Sequence, residues 1–247
     1  MEKKYALFFA LAITAIIAIN YWYFSTYEDG RPANRESVIV AHVIDGDTFD
    51  LTDGRRVRML NVNTPEKGEF GSQEAIAYTK RLENRTVDIE ILGRETYGRL
   101  LVRVYAPEYV NLELVRQGLA RTLLVDEGEV DVFAKAEDKA MQEGRGVWER
   151  SEEYECLTGE IDKKEEYVVF DKRCETSLVG WTISDETTRK YTFKSDPAEH
   201  FIFYSAEGKE NETALFWKRG NAWNDDRDAL IVRDGEGKLV YYTDYGY

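Results

Sequence analysis

From Tyr5 to Phe24 the chain reads YALFFALAITAIIAINYWYF without a charged residue, whereas from Val38 onward apolar positions come in short alternating runs. About twenty helical residues at ~1.5 Å each match the hydrocarbon thickness of a bilayer. Lys3 and Lys4 stand before this run, Glu28 and Asp29 after it, and Tyr21, Trp22 and Tyr23 suit a membrane interface. The pattern predicts a transmembrane anchor within residues 1–25, with the lysines inside and everything after Ser25 outside. A cleaved signal peptide is the alternative, but Ala10-Leu11-Ala12, the pattern its cleavage would use, comes early, and there is no nearby cysteine to carry a lipid. Both readings export the bulk of the chain.

Beyond a polar linker, 26–36, the runs VIVAHVI, TFDL, RRVRMLNV, TVDIEIL and LLVRVYA read as five strands broken by Gly, Asp or Asn turns. Three helical patterns are interleaved: SQEAIAYTKRLE (72–83), VNLELVRQG (110–118) and EVDVFAKAEDKAMQEG (129–144), the last two closed by glycine. Five short strands curling into a sheet with packed helices predict a five-stranded oligonucleotide-binding (OB-type) barrel over 37–150. From SEEYEC (151–156) the rhythm changes to aromatic and β-branched runs about every ten residues with no helical pattern. That predicts a small antiparallel β-sandwich over 154–247.

Composition adds little to the fold and more to the partner. With 43% hydrophobic and 13% aromatic residues, 247 residues can bury about two cores, which excludes a disordered chain. The net charge is -14, and it is uneven: residues 31–150 hold 18 basic and 22 acidic side chains, residues 151–247 hold 13 and 22. Strong nonspecific affinity for nucleic acid is therefore not expected of the whole surface, although a local basic cleft still attracts a phosphate.

The candidate chemistry lies in the first segment. VIDGDTFDL (43–51) sets Asp45 and Asp47 on either side of one glycine, a pattern equally suited to a hairpin turn. Asp45, Asp47, Asn63 and the backbone of Thr64 supply hard oxygen ligands of the kind Ca²⁺ takes. Arg58 and Arg99 have the planar fork that matches phosphate oxygens, and Glu66 can act as a base. A metal clamp, cations aimed at the developing charge and a base to position water are what phosphodiester hydrolysis requires. Blander readings stand beside these. Thr64-Pro65-Glu66 is also a good helix start with Thr64 as N-cap, and arginines in strands are commonly ordinary surface charges.

Taken in order, VIDGDT, RVRMLNVNTPE (56–66), TYGRLLV (96–102) and LVRQGLA (114–120) resemble the staphylococcal-nuclease (thermonuclease) family of calcium-dependent phosphodiesterases. The resemblance implies Asp47 as a direct calcium ligand, Asp45 near the metal, Arg58 and Arg99 on the phosphate, and Glu66 as general base or water-orienting group. It implies endonucleolytic cleavage of DNA and RNA with 3′-phosphate products. Two departures are visible: Asn63 stands where the family usually has a second acidic ligand, and Leu124 where some members offer a tyrosine to the base. The other class of function is a nucleic-acid-binding or surface-interaction protein that keeps this fold without the chemistry.

EYVVFDKRC (166–174), LVGWTISD (178–185), YTF (191–193), LFWKRGNAWND (215–225) and ALIVRDGEGKLVYY (229–242) resemble lamin-tail domains, immunoglobulin-like sandwiches appended to many exported nucleases. Trp181, Phe193, Trp217 and Trp223 read as core rather than ligand contacts, because so small a sandwich needs large side chains. Cys156 and Cys174 are the only cysteines, and an even pair on the exported side favours a disulfide over two buried thiols. His42 and His200 have no second ligand at zinc spacing.

Overall fold

The structure, a computed structural model, describes residues 34–187, 189–220 and 222–246. The expected membrane span lies outside them. Among the described residues no helix is long and apolar enough to cross a membrane.

Strands β1 (Arg35–Val43), β2 (Thr48–Leu51), β3 (Arg56–Met59), β5 (Thr86–Arg94) and β6 (Leu100–Tyr105) close into a barrel in the order β1-β2-β3-β6-β5. All neighbours are antiparallel except β3 and β6, where Val57 pairs with Leu100 and Met59 with Val102. Period-two alternation turns Val40, Phe49, Val57, Ile89, Val102 and Val104 inward, all fully buried. In β1 the alternation slips: the register shifts between Val40 and His42, so Val43 points in and His42 out. The strand also starts two residues inside the expected linker, because Arg35 and Glu36 pair with Glu90 and Ile89 of β5.

The run RRVRMLNV is not one strand. Asn61 takes a left-handed φ of 65°, which breaks the chain between β3 and a short strand β4 (Val62–Asn63). β4 leaves the barrel to pair with β7 (Arg121–Thr122). Helices α1 (Ser72–Lys80), α2 (Val110–Arg116) and α3 (Val130–Gln142) pack outside the barrel, the last two against each other. All three end short of the expected limits, in turns.

The C-terminal region consists of two four-stranded sheets. One has the order β11 (Lys190–Thr192), β10 (Thr182–Ser184), β14 (Asp228–Arg233), β15 (Leu239–Tyr245); the other β13 (Ala214–Phe216), β12 (His200–Tyr204), β9 (Tyr167–Lys172), β8 (Leu157–Asp162). Their inner faces share one cluster that includes Leu157, Phe170, Trp181, Phe193, Phe201 and Trp223, with Trp217 packed at its edge. The expectation of an antiparallel arrangement fails at one pair: β12 and β13 run parallel, Ile202 opposite Ala214 and Tyr204 opposite Phe216. The loop 205–213 carries the chain back along the sheet before β13 joins its edge, a long return that apolar alternation does not reveal.

Cys156 and Cys174 form a disulfide just beyond the Leu157–Lys172 end of the β8–β9 ladder, where Arg173 N donates to Cys156 O at 2.7 Å. Cross-links of this span contribute ~3 kcal/mol in the loop-entropy view. Reduction should lower the unfolding midpoint of the C-terminal region while the barrel's far-ultraviolet signal persists. Thiol titration of the native protein should find no free sulfhydryl, and two freely reacting thiols would contradict this.

The two regions are not joined by a loose tether. Residues 149–155 run along β15, with Leu239 N donating to Glu149 O (2.8 Å), Ser151 N to Leu239 O (2.9 Å) and Glu155 N to Val240 O (2.8 Å). Ala140, Val147 and Trp148 pack against Ala229, Ile231 and Leu239, and Trp148 meets Tyr242 edge-on at 5.0 Å.

Candidate active site

The site begins at the turn between β1 and β2. Ile44 N and Asp45 N both donate to Thr48 O, at 3.0 and 3.3 Å, and Asp45 Oδ1 accepts from Asp47 N at 3.1 Å. Asp45 is thus the turn-forming aspartate. A Cβ on Gly46 would lie 2.7 Å from the Thr64 side chain and 2.8 Å from Ala75, so only glycine lets the turn approach both. Thr79 of α1 donates to Gly46 O at 2.6 Å and pins the turn from behind.

This pinning drives Asp47 inward, where it is 2% exposed. Its Oδ2 accepts from Thr64 N and Thr64 Oγ1, both at 3.1 Å; its Oδ1 accepts from Thr48 Oγ1 at 2.9 Å and from Arg58 Nη1. Burial pushes this carboxyl up to about 6; Arg58 opposes the rise and neighbouring Asp45 adds to it.

Arg58 stands on β3 opposite Thr48, which aims its guanidinium across the hairpin at Asp47. Its Nη2 reaches Val62 O and Asn63 Oδ1, both at 3.4 Å, and its Nε lies 3.8 Å from Glu95 Oε1. Arg99 Nε donates to Glu95 Oε2 at 2.5 Å. Glu95 therefore bridges the two arginines, and sequence reasoning missed it. The signal was faint: an acid four residues before Arg99, in a turn closed by Glu95 N to Arg99 O and Gly98 N to Glu95 O, both 2.9 Å.

Asp47, Arg58, Asn63, Thr64 and Arg99 thus form one connected group with Asp45 at its edge. Glu66 stands apart on the exposed loop after Thr64, its carboxylate without a partner among the described residues. The helix-start reading of Thr64-Pro65-Glu66 is corrected here. Residues 64–66 are irregular, Thr64 spends its hydroxyl on Asp47, and α1 begins only at Ser72.

A metal ion here would meet oxygen donors. Asp47 Oδ1 and Asn63 Oδ1 both contact the Arg58 guanidinium, and the Asp45 carboxylate is close enough to raise the Asp47 carboxyl. That donor set fits a hard divalent cation and not a soft one. Among the described residues the one cluster of three thiol, imidazole or carboxylate groups is Glu153, Cys156 and Cys174, whose sulfurs are joined to each other.

The family model of the staphylococcal nuclease homologues matches residues 56–150. An uncharacterized endonuclease of Escherichia coli O157:H7 is 33% identical over 116 residues, 44% of this chain and 74% of the relative. One of Haemophilus influenzae is 30% identical over 115 residues, 44% of this chain and 64% of the relative. The succinoglycan biosynthesis protein ExoI of Rhizobium meliloti is 29% identical over 140 residues, 50% of this chain and 72% of the relative.

Proposed function

Because the chain belongs to the staphylococcal nuclease family, we propose that its barrel is a Ca²⁺-dependent endonuclease that hydrolyses DNA and RNA. In this reading the N-terminal apolar segment holds the barrel at the outer face of the cell membrane, and the C-terminal sandwich is a lamin-tail-like accessory domain. The observation that carries the nuclease reading is the convergence of Arg58 and Arg99 on one acidic bridge beside Asp47 and Asn63.

Both guanidiniums are held by carboxylates, Arg58 by Asp47 and Arg99 by Glu95. A phosphodiester competes with these carboxylates for the planar forks and arrives at cations already aimed. The charge that builds on its equatorial oxygens then has donors in place without reorganisation. Asp47, Asn63 and the Thr64 carbonyl would hold Ca²⁺, which when bound supplies Lewis-acid polarisation of a phosphate oxygen. Glu66, partnerless and exposed, is free to take a proton from the attacking water. Asn63 in place of a carboxylate removes one negative charge from the set and weakens metal binding, which is tolerable where calcium sites work at about 10⁻⁴ to 10⁻³ M.

Supercoiled plasmid incubated with Ca²⁺ should be nicked and then linearised, and a chelator should stop both steps. Retarded migration of the plasmid without nicking, with or without Ca²⁺, would instead favour the non-catalytic binding protein.

A further inference from the structure

A cavity of about 240 Å³ lies between the barrel and the sandwich. Asn63 and Thr64 of the candidate site form part of its wall, with Arg121 beside them and Lys190 and Arg233 across from them. Arg121 is placed there by the β4–β7 ladder, in which it is the direct partner of Asn63. The cavity is thus continuous with the site proposed to cleave phosphodiesters, and its far wall belongs to the other domain.

Two of its cations, Arg121 and Arg233, are half-buried arginines held by carbonyls, as the exposed Arg94 is elsewhere, whereas its third, Lys190, is ion-paired to Glu69. Arg55, Arg56, Arg58, Arg99, Arg103, Arg116, Arg145 and Arg219 all pair with carboxylates. Arg121 and Arg233 pair with none among the described residues, although acidic side chains outnumber basic ones by 47 to 33. Arg121 Nη2 donates to Glu186 O at 3.0 Å; Arg233 Nη1 donates to Val147 O at 2.7 Å and Gly237 O at 3.0 Å. Carbonyls orient a guanidinium without neutralising it. Glu69, Asp234 and Glu236 share the lining: Glu69 is ion-paired with Lys190 at 2.6 Å and Glu236 with Lys238 at 3.6 Å, while Asp234 accepts from the backbone of Glu236 and Lys238 and keeps its charge. Burial, with a smaller contribution from the charge of Arg121, lowers the Arg233 guanidinium to about 10, and Glu69 and Asp234 oppose the fall.

The wall is rigid. Gly237, at φ 89°, sits so close to Phe70 that a Cβ would lie 2.5 Å from its Cβ, and the apolar contact around Trp148 fixes one domain on the other.

We infer that this interdomain cleft is a second phosphate subsite, in which Arg121 and Arg233 hold a backbone phosphate of the nucleic-acid strand next to the one at Arg58 and Arg99. The inference rests on the nuclease reading for the identity of its ligand. It gives the C-terminal domain a part in substrate binding: a strand leaving the scissile position past Asn63 enters a groove whose opposite wall is the sandwich.

The test is fluorescence anisotropy on the full chain with Ca²⁺ and a hydrolysis-resistant phosphorothioate single strand, repeated over a range of salt. Arg121→Gln and Arg233→Gln should each weaken binding about fivefold and flatten the slope of log affinity against log salt by ~0.7, the counterion release of one single-strand phosphate. Arg121→Lys keeps the charge and should restore the slope, and Lys209→Gln, on an exposed loop, should leave it unchanged. Arginines that only tie the domains together would lower the unfolding temperature and leave the slope as it was. That result, or a wild-type protein that binds no strand, overturns the subsite. Plasmid cleavage by the same preparations separates the two readings: cleavage with an unaltered Arg121→Gln slope sinks the subsite alone, and strand binding with the predicted slopes but no cleavage sinks the nuclease alone.

Discussion

Replacing Arg99 with alanine should lower kcat on single-stranded DNA by on the order of 10² or more with little loss of stability. Replacing Arg58 should lower it as much and also destabilise the fold. The shared loss follows from removing one preorganised donor to a developing oxyanion, which costs ~3 to 4 kcal/mol of transition-state stabilisation. The difference follows from what each arginine holds. Arg99 is ion-paired to Glu95, a group 23% exposed that water can solvate. Arg58 is the cation on Asp47, whose side chain is 3% exposed, and without it that carboxylate is left buried and without a counter-charge, a change that costs about 3 to 5 kcal/mol in other proteins. Single-turnover rates and urea titrations of the two variants measure both quantities. Undiminished turnover in both would remove the arginines from the mechanism. Glu66→Gln should slow cleavage while strand affinity and unfolding midpoint stay near wild type, because its carboxylate holds nothing together.

Asp47→Ala should abolish metal-dependent cleavage, and Asn63→Asp should lower the Ca²⁺ concentration needed for half-maximal activity. The first removes the one deeply buried carboxylate of the donor set. The second adds a negative charge where charge count sets calcium affinity. Arg58 Nη2, already 3.4 Å from Asn63 Oδ1, would also be drawn to the new carboxylate, which tempers the gain. Calorimetric titration with Ca²⁺ reads both variants directly. Asp47→Ala will also unfold more easily, since Thr64 N, Thr64 Oγ1 and Thr48 Oγ1, all on buried residues, lose their acceptor. The informative comparison is therefore Asn63→Asp, which breaks no buried contact. A calcium affinity unmoved by it would leave VIDGDTFDL as a turn and nothing more.

Local pattern was enough for much of this molecule. The alternation of Val38, Val40, Phe49, Leu51, Val57 and Ile89 marks strands with one buried face, because a two-residue period places every second side chain on the same side of a sheet. The spacing of Ala75, Thr79, Phe133, Ala136 and Ala140 marks helices in the same way. VIDGD and the arginines at 58 and 99 were legible because turn chemistry and guanidinium forks are properties of single residues and short spacings. What the pattern could not carry were meetings between distant segments. Glu95 meets Arg58 only because β3 and β6 pair in parallel and bring the 95–99 turn beside the hairpin. The helix-start signal at Thr64-Pro65-Glu66 was overridden because the Asp47 carboxylate, buried by barrel closure, claims both the Thr64 hydroxyl and its backbone N–H. The parallel entry of β13 and the facing of Arg121 and Arg233 across the cleft depend on how loops return and how two domains dock. The sequence by itself determined which residues point inward and which chemistry is at hand. Only barrel closure and domain docking decided which of those groups touch, because burial is encoded residue by residue and convergence is a property of the whole chain.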